Sequence, residues 1–186
     1  MPHRIRLLSI LALCFVFLPF LDASQQSDAS KASVFPDTNT YSLDKAKVNF
    51  PADFEGKANL LLISFEPEQA KDIETWMPLA QALQHMNFQF RYYKMPVSSP
   101  ENLIYRWWDN SSLRSVETDP ETWHWIIPLY INKTDFRRSM NIPNEKEVIV
   151  ALVDKTGQVL WKASGRLTDD KKASLTAAVA AATHLQ

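Results

Sequence analysis

The hexapeptide Leu60 to Phe65 (LLLISF) is a near-continuous apolar run, and it limits what this chain can become more than any other stretch. A strand that is apolar at successive positions has to be covered on both faces, which calls for helices on either side of a sheet. The sequence that follows supplies one. Ile73, Trp76, Met77, Leu79, Ala80 and Leu83 recur at spacings of three and four, the stripe of an amphipathic helix running towards His85. Pro78 falls inside this pattern and is expected to kink the helix, because proline lacks the backbone donor and clashes with the preceding turn. Gln89 to Val97 reads as a second strand, with Phe90, Tyr92 and Lys94 on one face and Arg91 and Tyr93 on the other.

Residues 98–125 interrupt the alternation. A turn at Ser98-Ser99-Pro100 leads into a stretch with helical periodicity from Glu101 to Arg114 (Leu103, Trp107, Leu113), and a second turn follows at Asp119-Pro120. Trp107, Trp108, Trp123 and Trp125 all lie in this stretch, four of the six tryptophans in the chain. They can form an aromatic docking surface, since tryptophan is enriched at interface hot spots. They can also pin an inserted helical arm to the domain by indole packing, which is the simpler role.

The remaining elements complete an α/β pattern. Ile126 to Asn132 is expected as a third strand and Lys133 to Asn141 as a short helix. Val148 to Asp154 and Val159 to Ala163 are two strands joined by the glycine-containing loop Lys155 to Gln158, and Asp169 to Leu185 is an alanine-rich helix. The order β-α-β, insertion, β-α, β-β-α predicts a mixed sheet flanked by helices, with the last hairpin antiparallel.

The N-terminal end carries a different signal. His3, Arg4 and Arg6 precede the apolar run Leu7 to Leu21, the layout of a secretory signal peptide, assigned here to residues 1–24. Its fifteen residues fall short of the roughly 20 that span a bilayer comfortably. Export to the periplasm or the extracellular space is therefore expected, with an uncleaved membrane anchor as the alternative. Cys14, the only cysteine, lies within this run. Once the signal is removed, no disulfide and no thiol chemistry remain to the chain. Residues 25–49 are rich in Ser, Asp, Ala and Lys and are expected to be a flexible tether, with at most a short ordered stretch near Val34 or Tyr41. The domain proper is assigned to residues 50–186, with Phe50 and Phe54 packing at its edge.

A formal net charge of -1, with acidic and basic residues interspersed, speaks against a nucleic-acid partner. His85, His124 and His184 stand apart, so no metal site is expected. With only Gly56, Gly157 and Gly165 there is no glycine-rich phosphate loop, and no cofactor is expected. Glu66, Glu68, Asp72 and Glu74 crowd the turn after the first long strand. Acidic side chains there complement a helix dipole by about 0.3–1 kcal/mol each, or they receive a basic segment. Arg137-Arg138 can bind a partner's carboxylate, or form exposed salt links worth less than about 1 kcal/mol.

Leu60 to Pro78, the unit Ile127 to Ile142 and the segment LVDKTGQVLW together resemble the thioredoxin superfamily, in the version with an extra strand and helix before the final hairpin. The resemblance covers roughly residues 48–185. If Phe65 and Pro78 are set on the secreted oxidoreductase pattern FxxxxCxxCxxxxP, the cysteine positions fall on Ala70 and Ile73. The superfamily's cis-proline position falls near Val148, while Pro143 is the nearest proline and Pro128, in an earlier strand, is expected to be trans. A narrower resemblance is to the thioredoxin-like family of mitochondrial ATP synthase assembly factors and their bacterial relatives, which also lack the cysteine pair. Ser64-Phe65, Trp76, Arg106, Arg114, Phe136-Arg137 and the ending ALVDKTGQVLWKASGRLTDDKKASL from Ala151 carry it. Lys162-Ala163 departs from that pattern, and a secretory signal stands where mitochondrial targeting would be.

The resemblance implies a thioredoxin fold that binds protein without disulfide exchange, acting as a binding or complex-assembly factor with possible association with a membrane complex. The expected contact surface joins Glu66, Ala70 and Ile73 to Trp107, Trp108, Trp123 and Trp125, with Arg137 nearby. The alternative is an enzyme with cysteine-independent chemistry on the same fold, which would need a polar cavity gathering Glu66, Arg137 and His124.

Overall fold

The computed structural model describes residues 33–100 and 103–184, without the side chains of residues 103–109 and 184. Its central strand is β3 (Ala58–Ser64), in which the six residues Ala58 to Ile63 are wholly buried. β3 pairs in parallel with β4 (Phe90–Ser98), Ala58 opposite Phe90, and antiparallel with β6 (Ile149–Val153), Ile63 opposite Ile149. β5 (Leu129–Tyr130) and β7 (Val159–Ser164) form the edges, giving the order β5-β4-β3-β6-β7.

The period of two along β3 divides the core. Leu60 and Leu62 point to one side, where Trp76, Ala80 and Leu83 meet Leu175 and Val179 of α5 (Asp169–His184). Leu61 and Ile63 point to the other, where Tyr93, Met95 and Val97 meet Phe136 of α4 (Lys133–Ser139) and the aromatic group Phe35, Phe50 and Phe54. The layered mixed sheet expected from the sequence is thus present. Among the described residues no helix is long and apolar enough to cross a membrane.

Four expectations need correction. Pro78 does not kink one long helix. The chain forms a short α1 (Ala70–Ile73), breaks at Glu74 to Trp76, and starts α2 (Met77–Met86) with Pro78 in its first turn. The first turn tolerates proline because its amide would have had no intrahelical partner. The third strand is only two residues long, since Pro128 removes a ladder donor immediately before it. The expected tether is folded over its C-terminal part: β1 (Thr38–Tyr41) and β2 (Lys47–Phe50) form an antiparallel hairpin. Phe35 and Leu43 are each only 1% exposed. Lastly, α3 (Leu103–Val116) and the 3-10 turn Pro120–Trp125 form the inserted arm, but the helix runs two residues past the expected end at Arg114.

The β6–β7 turn shows how local chemistry fixes this hairpin. Asp154 Oδ1 accepts hydrogen bonds from the amides of Thr156 (2.8 Å) and Gln158 (3.0 Å). Gly157 has φ +83°, and a Cβ on it would lie 3.2 Å from Phe35 O. Only glycine suits both conditions.

Tyr93 is 3% exposed, and its hydroxyl accepts a hydrogen bond from the Glu55 amide at 3.2 Å. Burial pushes its pKa up from 10.0 to about 12. An acid whose folded pKa lies above its unfolded value keeps its full stabilisation below pH 10 and loses it as the pH rises towards 12. The loss expected is about 2–3 kcal/mol. Urea unfolding followed through this range should show the fall, and Tyr93→Phe should flatten it. An equally steep fall in the variant would assign the effect to other groups.

Candidate functional site

The loop after β3 is where the cysteines of a redox-active relative would stand. Phe65 ends the buried run, Glu66 is extended, and Pro67–Gln69 forms a 3-10 turn that hands over to α1. Ala70 lies on the exposed side of α1, whereas Ile73 is 4% exposed and packs with Trp76 on the Leu60 face. Neither side chain offers a nucleophile.

Gln69 holds the loop in place. It is 7% exposed; its Oε1 accepts from the Phe65 amide at 2.8 Å and its Nε2 donates to Glu145 O at 2.7 Å. This one side chain therefore ties the vacant redox loop to the segment before β6, where the superfamily keeps its cis-proline. Val148 occupies that position and is fully buried; the cis peptide lies elsewhere, at Phe50-Pro51, and the bond before Pro128 is trans as expected. Gln69→Ala should cost about 1–3 kcal/mol, because it leaves a buried amide and a carbonyl without their partner. Gln69→Glu, which sets a buried carboxylate oxygen against the Glu145 carbonyl in place of the donor, should cost at least as much as alanine in urea unfolding at neutral pH. A neutral alanine variant would show that solvent reaches the loop.

A cleft of about 350 Å³ opens beside Ala70 and Ile73. Ser64, Ala70 and Ile73 form one wall, Leu113 and Val116 of α3 the other, and Lys94 and Pro96 of β4 the floor. The vacant redox face and the inserted arm do meet, as the sequence suggested, but they meet through aliphatic side chains. Val116 is 76% exposed.

The tryptophans have other work. Trp125 packs edge-on against Tyr93 at 5.8 Å, lies under the Arg91 guanidinium at 6.0 Å, and borders a second cavity of about 330 Å³ next to the cleft. Trp123 donates from Nε1 to Glu117 O at 2.7 Å, with Arg114 5.4 Å from its ring centroid. Trp125 thus packs the arm against β4, whereas the contacts of Trp123 lie within the arm. The side chains of Trp107 and Trp108 lie outside the described residues.

Lys94 separates the two cavities. Its Nζ lies 3.1 Å from Glu74 and 2.5 Å from Glu117, so one ammonium joins the end of α1 to the arm. Burial alone would lower its pKa, but the Glu117 and Glu74 carboxylates outweigh that and hold it above the ordinary lysine value. The amine therefore stays charged, and this part of the cleft is an ion-paired wall between two apolar surfaces.

Glu66 and Arg137 come together on the other side of the loop, through intermediaries. Lys133 Nζ donates to Phe65 O and to Glu145 Oε2, both at 3.3 Å, and lies 3.8 Å from Glu66. Arg137 Nε lies 3.0 Å from Glu145 Oε1 without aiming its N–H at it, and Nη1 donates to Pro143 O at 3.2 Å. Glu145 thus ties α4 to the segment before β6. His124 is not part of this group: it contacts Asp44 (3.4 Å) and Glu55 (3.2 Å) beside the β1–β2 hairpin. The polar cavity that the enzymatic alternative needs is not assembled from these three residues.

Sequence reasoning missed Gln69, Lys94, Glu117, Leu113 and Val116 as parts of this region. Lys94 alone gave a signal, as a charge on the face of β4 that also carries Phe90 and Tyr92.

A five-stranded mixed sheet with helices on both faces, and an α1 that starts at the end of the central strand without a cysteine pair, defines a thioredoxin-like domain. The chain belongs to the ATP10 protein family, whose model matches residues 20–181, the assembly-factor family that its sequence resembles. Among solved structures it is similar to BsSco, a member of the Sco family of cytochrome c oxidase assembly proteins. That match has 13% identity over 83% of this chain and 96% of that one, with a TM-score of 0.56. A thiol:disulfide interchange protein from Bacteroides sp. matches at 19% identity over 78% of this chain and 88% of that one, TM-score 0.51. A protein from Aquifex aeolicus described as an electron transfer protein matches at 9% identity over 81% and 97%, TM-score 0.59. At these identities the likeness shows the fold alone. No curated protein matches the sequence.

Proposed function

We propose that this protein is an exported assembly factor that binds a protein partner through the cleft between α1, β4 and α3, and that it carries out no thiol-disulfide exchange. The observation that carries this reading is the cleft itself: the vacant cysteine positions Ala70 and Ile73 share it with Leu113 and Val116 of the inserted arm. Ala70, Ile73, Pro96, Leu113, Val116 and Ile126 give the cleft its aliphatic surface, beside the charged group Lys71, Glu74, Lys94 and Glu117, a mixture that suits an extended or helical partner segment with aliphatic anchors. Membership in an assembly-factor family supports a protein as the ligand. The basic and apolar N-terminal pattern supports export to the periplasm or the extracellular space. The partner is expected in a membrane complex.

Affinity capture of the tagged full chain from its native cells, after mild crosslinking, tests this. Recovery of subunits of ATP synthase or of another membrane complex is the expected result. A preparation in which no protein is enriched over an untagged control would contradict it.

A further inference from the structure

Among the described residues β1 pairs with β2 and with no other strand. A cavity of about 430 Å³ is lined by every residue from Thr38 to Ser42, so it runs along the second edge of β1 and not over one of its faces. Asn110 and Arg114 of α3, with Tyr130 and Ile131 at the end of β5, close its far side.

The backbone groups of β1 divide by alternation. Asn49, opposite Asn39, donates its N–H to Asp53 Oδ2 (2.6 Å) and accepts from the Asp53 amide (3.0 Å), while the Ser42 amide donates to Ala46 O (2.9 Å). The ladder with β2 therefore runs through Thr38, Thr40 and Ser42, and the N–H and C=O groups of Asn39, Tyr41 and Leu43 point the other way. Those of Leu43 are both taken: the amide donates to Ile126 O (2.8 Å), and the carbonyl accepts from Arg114 Nε (3.1 Å) and Nη2 (2.6 Å). Asn39 and Tyr41 have no such partners among the described residues, and both are exposed, Tyr41 by 61%. Such an edge is a template for another strand.

The charge along this edge has a direction. The residues lining the cavity include Lys45 and Arg114 and no carboxylate. Lys45 forms no ion pair among the described residues, and Arg114 meets the Leu43 carbonyl and the Trp123 ring. Asp44 is held by the Ser42 hydroxyl and by His124. Asp37, which is exposed, precedes Thr38 at the opposite end of β1. The end near Lys45 is thus positive and the end near Asp37 negative.

We propose that this edge receives an extended segment of a partner protein as a third strand, antiparallel to β1, with acidic side chains at its N-terminal end. Its backbone pairs with Asn39 and Tyr41, and its carboxylates lie beside Lys45 and Arg114. In strand addition the main-chain bonds supply affinity, and the charge at one end fixes direction and register. The surface is separate from the cleft: Leu113 and Val116 of α3 line the cleft, whereas Asn110 and Arg114 line this cavity.

The test uses the full chain and a blocked, fluorescein-labelled peptide, Glu-Glu-Thr-Val-Thr-Val. Saturable binding by anisotropy is expected, with hydrogen exchange at the Asn39 and Tyr41 amides, followed by NMR, slowed at least about tenfold in the complex. Lys45→Glu should weaken binding at least about tenfold, and so should Asn39→Pro, which removes an outward N–H that β2 does not use. Circular dichroism checks that both variants fold. The peptide Lys-Lys-Thr-Val-Thr-Val should not bind. Absence of binding by the acidic peptide would overturn the proposal. So would binding that leaves both amides exchanging as before, undiminished binding by the two folded variants, or equal binding of the lysine peptide. None of these results bears on partner binding at the cleft.

Discussion

Trp76→Ala is expected to lower the unfolding free energy by about 3–5 kcal/mol, a large share of the roughly 5–15 kcal/mol available to a domain of this size. Trp76 has no exposed surface. It fills the space between the broken helix and the sheet, meets Trp161 edge-on at 6.2 Å, and donates from Nε1 to Gly165 O at 3.0 Å. Trp161 in turn donates to Ser174 Oγ at 2.8 Å on α5. The residue therefore joins α1, β7 and α5 at one point. Alanine would leave a cavity and an unpaired carbonyl together. Trp76→Phe keeps most of the volume and loses the hydrogen bond, so about 1–2 kcal/mol is expected for it. Urea unfolding followed by circular dichroism measures both. A loss below about 1 kcal/mol for alanine would mean that the helix and sheet repack around the site.

The second large effect concerns binding. Leu113→Asp with Val116→Asp puts two carboxylates on the arm's side of the cleft, beside Glu117 and Glu74. Val116 is largely exposed and Leu113 half-buried, so the fold should survive. A partner that buries aliphatic groups there would have to desolvate both charges, and a loss of capture by at least about tenfold is expected. Quantitative pull-down against wild type, with circular dichroism to check folding, gives the answer. Undiminished capture by a folded variant would move the contact surface elsewhere.

The parts of the fold that were legible in the sequence are those where a period runs for several residues. The apolar run of β3 and the stripe of α2 declare themselves because every position has to be buried or to face one side. Ser33 to Asn49 was misread because its apolar signal is sparse: Phe35 and Leu43 enter the core as isolated anchors, and the paired strands β1 and β2 are only four residues each. Pro78 was read as an interruption because sequence alone does not show whether a proline lies inside a helix or at its first turn. At the candidate site, Ala70 and Ile73 were reached through the resemblance to the secreted oxidoreductase pattern, and both are local to one loop. The partners of that loop could not be found in the same way. Glu145 lies 76 residues from Gln69, and Glu117 lies 23 from Lys94, so only the folded chain brings them together. The number of tryptophans left two roles open in the sequence, and the folded chain shows Trp125 packed against Tyr93 and Trp123 bonded to the Glu117 carbonyl.

A photo-crosslinking amino acid placed at Val116 in the full chain, compared in native cells with one at Lys172 on the exposed face of α5, tests partner binding at the cleft most directly. A defined protein adduct at position 116, absent at position 172 and reduced when Ala70 is replaced by a bulky residue that fills the cleft, is the predicted result. Equal adducts at both positions, or an adduct at 116 that persists when the cleft is filled, would contradict it.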